Sequence, residues 1–93
     1  MFFASGQNIM TQKDLIALIN ENTIDRMVFF RNELNGWEIW IYTRIDEFGN
    51  EIVNKGNRLR VDRTREIKTY TSLDRAYHAM RSLKYSGSIM IEN

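Results

Sequence analysis

Cysteine is absent from this 93-residue chain, which removes disulfides, thiolate metal sites and cysteine nucleophiles in one step. A reducing compartment fits, and the cytoplasm is the expected location. Histidine is nearly absent as well. His78, the one imidazole, follows Tyr77 one position off the apolar stripe of a helix and reads as a partly exposed surface residue without a role. No apolar run approaches the roughly 20 residues needed to span a bilayer. The opening MFFASGQNIM lacks the basic segment of a signal peptide, so neither membrane insertion nor export is expected. P-loop, G-x-G-x-x-G, H-E-x-x-H and G-x-S-x-G patterns are all missing, which leaves nucleotide hydrolysis, redox and hydrolase chemistry without a carrier. The chain therefore reads as a non-enzymatic protein, with no cofactor, no metal and no small-molecule substrate evident.

What is present suffices for one small core. A hydrophobic share of 43% and a charged share of 27% are near the globular average, and the length bounds the chain to a single domain. Met10 runs directly into the helix start TQKD, so residues 1–10 read as a flexible N-terminal tail and 11–93 as the domain.

The charge is unevenly laid out. Residues 1–54 carry four basic side chains (Lys13, Arg26, Arg31, Arg44) against eight acids (Asp14, Glu21, Asp25, Glu33, Glu38, Asp46, Glu47, Glu51), a balance of −4. Residues 55–84 reverse it: Lys55, Arg58, Arg60, Arg63, Arg65, Lys68, Arg75, Arg81 and Lys84 face only Asp62, Glu66 and Asp74, a balance of +6. A segment of that sign suits an acidic partner, either nucleic acid or an acidic protein surface.

Thr11-Gln12-Lys13-Asp14 has the form of a capping box and opens a helix to about Asn22. Asp25–Leu34 and Trp37–Ile45 are β-rich and flank Asn35-Gly36, the signature of a two-residue type I′ hairpin. That turn sets Leu34 opposite Trp37 and Phe30 opposite Ile41, and gives a core face with Val28, Phe30, Trp37, Ile39 and Ile41. The other face then holds Met27, Phe29, Arg31, Trp40, Tyr42 and Arg44. After the turn cluster Asp46–Asn50, one or two further strands fall among Glu51–Asn54, Arg58–Asp62 and Arg65–Tyr70. Thr71-Ser72-Leu73-Asp74 starts a second helix with Leu73, Ala76, Tyr77, Met80 and Leu83 at helical spacing, ending at Ser86-Gly87. Ser88–Glu92 closes as a strand. The expected fold is α+β in the order α-β-β-(β)-β-α-β, two helices on an antiparallel or mixed sheet.

Two surfaces stand out. Arg58, Arg60, Arg63, Arg65 and Lys68 form a basic stripe that could follow a phosphate backbone; the plain alternative is a charged edge that discourages aggregation. Arg31, Trp40, Tyr42 and Arg44 on the outer hairpin face form an aromatic and basic patch that suits stacking on unpaired bases. Cover by Phe2-Phe3 or by a second subunit is the competing account of this patch. Asp46, Glu47 and Glu51 lack the ligand spacing of a calcium loop and read as a solvated turn.

The block REIKTYTSLDRAYHAMRSLKYSGSIMIEN, a strand leading through T-S-L-D into a helix with L-K-Y-S-G before a last strand, resembles small accessory proteins of plasmids, integrative elements and phages. Partition-associated factors and anti-CRISPR-type inhibitors are among them, and such proteins act by binding. The resemblance implies a binding protein of a mobile element and transfers no functional residue. The expected function is an accessory or regulatory factor that contacts nucleic acid or a nucleoprotein assembly through the basic stripe. A protein–protein module or inhibitor using the aromatic hairpin face is the alternative, with a homodimer as one form of it.

Overall fold

The computed structural model describes residues 10–44, 48, 50 and 56–92. Among these, the elements run β1 (Met10–Thr11), α1 (Gln12–Glu21), β2 (Ile24–Arg31), β3 (Trp37–Thr43), β4 (Gly56–Arg60), α2 (Leu73–Ser82) and β5 (Ile89–Glu92). The α+β order expected from the sequence holds, with the two-residue β1 added in front. Two residues are too few to show an alternating pattern, and so gave no signal.

α1 begins as its sequence dictates. The Thr11 hydroxyl accepts from the Asp14 N–H at 3.4 Å and the Thr11 N–H donates to Asp14 Oδ2 at 3.1 Å, so each residue satisfies a backbone donor that the first helical turn leaves free. The helix ends where Asn22 takes the left-handed conformation at φ 58°, which asparagine tolerates better than most side chains. α2 starts one residue later than Thr71 suggested: Ser72 is the N-cap, and its hydroxyl accepts from the Arg75 N–H at 3.1 Å.

α2 also stops a turn before Ser86-Gly87. Lys84 adopts φ 75°, its N–H donates to the Arg81 carbonyl at 2.9 Å and the Tyr85 N–H to the Met80 carbonyl at 3.3 Å. These are the two bonds of a Schellman closure, with lysine where glycine is usual. A β-carbon in that region costs about 1 kcal/mol. Lys84→Gly should therefore stabilise the fold by about 1 kcal/mol, raising the thermal midpoint by roughly 4–8 °C for a domain of this size. An unchanged or lower midpoint in a calorimetric scan would show that the Lys84 side chain itself contributes to the fold. The Schellman turn delivers Tyr85 into the core, where its hydroxyl donates to the Ser88 carbonyl at 2.7 Å. Burial pushes the Tyr85 phenol above its ordinary 10.0, with smaller opposing effects from Arg81 and Arg44 and a reinforcing one from Asp25. Tyr70 is raised by burial alone.

The sheet order is β1-β4-β3-β2-β5. β2, β3 and β4 form an antiparallel meander, and β1 and β5 add in parallel at its two rims, against β4 and β2 respectively. Leu15 of α1 and Ala76 and Met80 of α2 share one core with Met27, Phe29, Ile39, Ile41 and Leu59. Both helices thus pack on one face of the sheet, giving a two-layer sandwich. Met10 belongs to this core as well: it is 7% exposed and pairs with Leu59. Met10, expected in the tail over 1–10, is thus part of the sheet, and residues 1–9 lie outside the described residues.

The hairpin register differs from the one Asn35-Gly36 implies. Arg31, rather than Leu34, opposes Trp37, so Met27 faces Ile41 and Phe29 faces Ile39. An odd shift turns every β2 side chain to the opposite face. Met27 and Phe29 turn to the helix-covered core, while Val28 and Phe30 turn to the other face, where Val28 stays buried at 7% and Phe30 is 38% exposed; on β3 the expected core face of Trp37, Ile39 and Ile41 stands. Asn32 organises the five-residue connection. Its Oδ1 accepts from the N–H groups of Leu34 and Gly36 at 3.0 and 2.9 Å, and its own N–H donates to the Gly36 carbonyl at 2.9 Å. One extra residue, Asp25, bulges between Ile24 opposite Thr43 and Arg26 opposite Tyr42. The bulge lets Ile24 join Met27 on the core side despite a spacing of three.

Beyond β4, residues 65–70 make two isolated bridges, Arg60 with Ile67 and Trp37 with Tyr70, in place of a full strand. The segment Glu51–Asn54 and the cluster Asp46, Glu47 and Glu51 lie outside the described residues.

Candidate functional site

With both helices on one face, the opposite face of the sheet carries no helix among the described residues. Alternation decides which side chains line it. From β4 come Gly56, Arg58 and Arg60; from β3, Glu38, Trp40 and Tyr42; from β2, Arg26, Val28 and Phe30; from β5, Met90 and Glu92. The register places Arg58 beside Trp40, Trp40 beside Val28 and Val28 beside Met90 in one row across the sheet.

Two arginines sit on aromatic rings. The Arg58 guanidinium carbon is 5.0 Å from the Trp40 ring centre, and that of Arg26 is 4.2 Å from the Tyr42 ring centre. Each such contact is worth about 0.5–1 kcal/mol at an exposed site. Arg58 Nη1 also lies 3.5 Å from Glu38 Oε1, the carboxylate side chain being 12% exposed, and Arg26 Nη1 lies 2.8 Å from Asp25 Oδ2. A carboxylate and a ring together hold each guanidinium in place. Gly56, opposite Tyr42, completes the seat: a β-carbon there would come within 2.7 Å of the Tyr42 Cζ. A strand glycine often marks such an approach of another group to the backbone, and any larger residue would push the ring off its place beside Arg26.

The five basic residues singled out in the sequence do not stay together. Arg58 and Arg60 share the open face. Arg63 and Arg65 are exposed on the turn that follows β4, with Arg65 at φ 65°, and Arg60 Nη1 donates to the Arg65 carbonyl at 2.9 Å, which ties the turn to the strand. Lys68 leaves the group. Its backbone N–H donates to the Leu59 carbonyl at 2.9 Å, its ammonium stands 5.2 Å from the Tyr70 ring centre, and it lines a groove against α2.

The second expected set also divides. Trp40 and Tyr42 are on the open face, half-buried. Arg31 is not with them: the shifted register pairs it with Trp37, and its Nη2 donates to Asn35 Oδ1 at 3.0 Å at the end of the hairpin. Arg44 follows β3 at the opposite end, exposed, with its Nε 3.8 Å from Asp25 Oδ1. Phe29, expected outside, is fully buried. In their place the structure brings Arg26, Phe30 and Met90 to the face, the last two 38% and 49% exposed. The correct β2–β3 register would have found Arg26 and Phe30; Met90 further required the pairing of β5 with β2.

The face has two halves. The β4 and β3 side holds Arg58, Arg60, Trp40 and Tyr42, while the β2 and β5 side is mainly apolar, with Val28, Phe30 and Met90. Guanidinium planes seated on rings present donors for phosphate and a flat surface for a base. The site is thus a cationic and aromatic platform on a small α+β sandwich. No protein-family model matches this chain, and neither a curated protein nor a solved structure matches it significantly. Among the described residues, no three His, Asp or Glu side chains are grouped to hold a metal ion, and no helix is long and apolar enough to cross a membrane.

Proposed function

We propose that this protein is a non-enzymatic, cytoplasmic accessory factor that binds single-stranded nucleic acid, free or within a nucleoprotein assembly, across the open face of its sheet. The observation that carries the reading is the meeting of Arg58 and Arg60 with Trp40 and Tyr42 on one helix-free face. Arg58, Arg60, Arg63 and Arg65 would contact phosphates, and the Trp40–Arg58 and Tyr42–Arg26 stacks would receive bases, at about 1–3 kcal/mol per stacked base. Unpaired bases are favoured over a duplex because stacking needs a free base face. Resemblance to accessory proteins of mobile elements supports the same class of role.

The test is binding of labelled single- and double-stranded DNA and RNA at about 50 and 200 mM salt, where several phosphate contacts change affinity by orders of magnitude. Single strands should bind at the lower salt, lose most of their affinity at the higher, and quench tryptophan emission through Trp40. Absence of binding at the lower salt would defeat the reading.

One observation favours a second reading. The exposed Phe30 and Met90 beside Val28 make the β2 and β5 side of the face apolar, which suits a protein partner or a second copy of this chain better than a polynucleotide. Sedimentation of Met90→Lys against the parent would test it: a change from dimer to monomer supports the protein surface, and a monomer in both removes self-association.

A further inference from the structure

A second cationic feature lies in the helical layer, away from the open face. A groove of about 600 Å³ runs between α2 and residues 68–71, within the size range of small-molecule sites though shallower than most. Lys68, Arg75 and His78 line it together with the hydroxyl residues Thr69 and Thr71 and the apolar surface of Tyr70 and Ala79. Arg75, His78 and Ala79 come to one side because they are three and four residues apart on the helix. Among the described residues no carboxylate lines the groove, and neither Arg75 nor Lys68 has an ion-pair partner, in contrast to Arg26, Arg44 and Arg58. Arg75 uses only its backbone N–H, toward the Ser72 cap. His78 makes one ring contact, edge-on to Tyr77 at 6.0 Å.

Two cations along one groove with no carboxylate partner, Lys68 held only against the Tyr70 ring, repel each other, and an anion between them removes that repulsion while gaining charge-assisted hydrogen bonds. Threonine hydroxyls add neutral donors, and Tyr70 and Ala79 in the lining offer apolar surface to the remainder of the ligand. We infer that this groove binds a phosphomonoester of mononucleotide size, with Arg75 and Lys68 on the phosphate and the organic group against Tyr70 and Ala79. The inference is independent of the open-face reading, since the two sites share no residue once Lys68 is assigned here.

The experiment is a nuclear magnetic resonance titration of the isotope-labelled full chain with AMP, with inorganic phosphate and with adenosine, each at matched ionic strength. AMP should shift resonances of residues 68–71 and 75–82 saturably, with phosphate weaker and adenosine without effect. Arg75→Gln should weaken AMP binding at least about tenfold, the scale of losing a charged hydrogen bond, and Lys68→Gln should do the same should the first variant not fold. Arg58→Ala with Arg60→Ala should leave these shifts in place, and Arg75→Gln should leave oligonucleotide affinity unchanged, so failure of one site is distinguishable from failure of the other. Absence of saturation by about 10 mM AMP, equal shifts from adenosine, or indifference to both groove variants would overturn the inference.

Discussion

Replacing Phe29 by alanine should lower the stability of the fold by about 3–5 kcal/mol, a large share of the roughly 5–15 kcal/mol that holds a domain together, while Phe30→Ala should cost under about 1 kcal/mol. Phe29 has no exposed surface and Phe30 is 38% exposed, so one change opens a cavity in the core beside Ile39 and the other trims a solvent-facing ring. The two residues are neighbours of identical chemistry, which cancels every effect except position. Urea unfolding measures both. A midpoint that falls sharply for Phe29 and barely for Phe30 fits the pairing of Phe29 with Ile39; the reverse result would restore Phe30 to the core and exchange the two faces of β2.

The second large effect concerns binding. Changing Arg58, Arg60, Arg63 and Arg65 together to alanine should reduce affinity for single strands at least about a hundredfold near 50 mM salt, and flatten the slope of log affinity against log salt by about 3, some 0.7 for each phosphate no longer neutralised. The salt slope separates this from a general weakening, because removal of stacking alone would lower affinity and leave the slope. Arg58 is also the cation beside the nearly buried Glu38, and its removal has a structural cost. The pair Arg63→Ala and Arg65→Ala, confined to an exposed turn, avoids that cost and should account for about half of the slope change. Unchanged affinity and slope in the fourfold variant, with its fold intact by circular dichroism, would rule out the basic stripe as a phosphate-binding surface.

Local chemistry makes the helices legible. Thr11 and Asp14 announce α1 with a reciprocal pair of hydrogen bonds that depends on four consecutive residues, and Leu73, Ala76 and Met80 mark the inner side of α2 by spacing alone. β3 is equally clear because Trp37, Ile39 and Ile41 alternate with Glu38 and Tyr42. β2 is not, since Met27-Val28-Phe29-Phe30 is apolar at every position and alternation cannot choose a face. The choice then falls to the turn, and Asn35-Gly36 is a strong local signal that a longer connection built on the Asn32 side chain displaces. Tertiary pairing of Trp37 with Tyr70 also occupies the backbone that a tighter hairpin would use. The site is legible in its parts and not in its assembly. Arg58 and Arg60 read as one surface and Trp40 and Tyr42 as another, and only the pairing of β3 with β4, across a connection of uncertain length in the sequence, makes them one. Arg31 joins that surface only in the register that also puts Phe29 outside, and Arg44 only if β3 runs past Thr43, where it ends.

The sheet order also says how the molecule comes together. β2, β3 and β4 follow one another in the chain and pair with one another in space, so their contacts close comparatively short loops. β1 must reach from Met10 to Leu59 and β5 from Ile89 back to Met27. Longer loops cost more chain entropy to close, and distant pairings slow folding, so the two rims join a meander that is already formed. Trp40, Tyr42, Arg58 and Arg26 all belong to that meander. The cationic and aromatic platform is therefore assembled ahead of the edges that flank it, and loosening of the molecule would begin at its rims and reach the platform last.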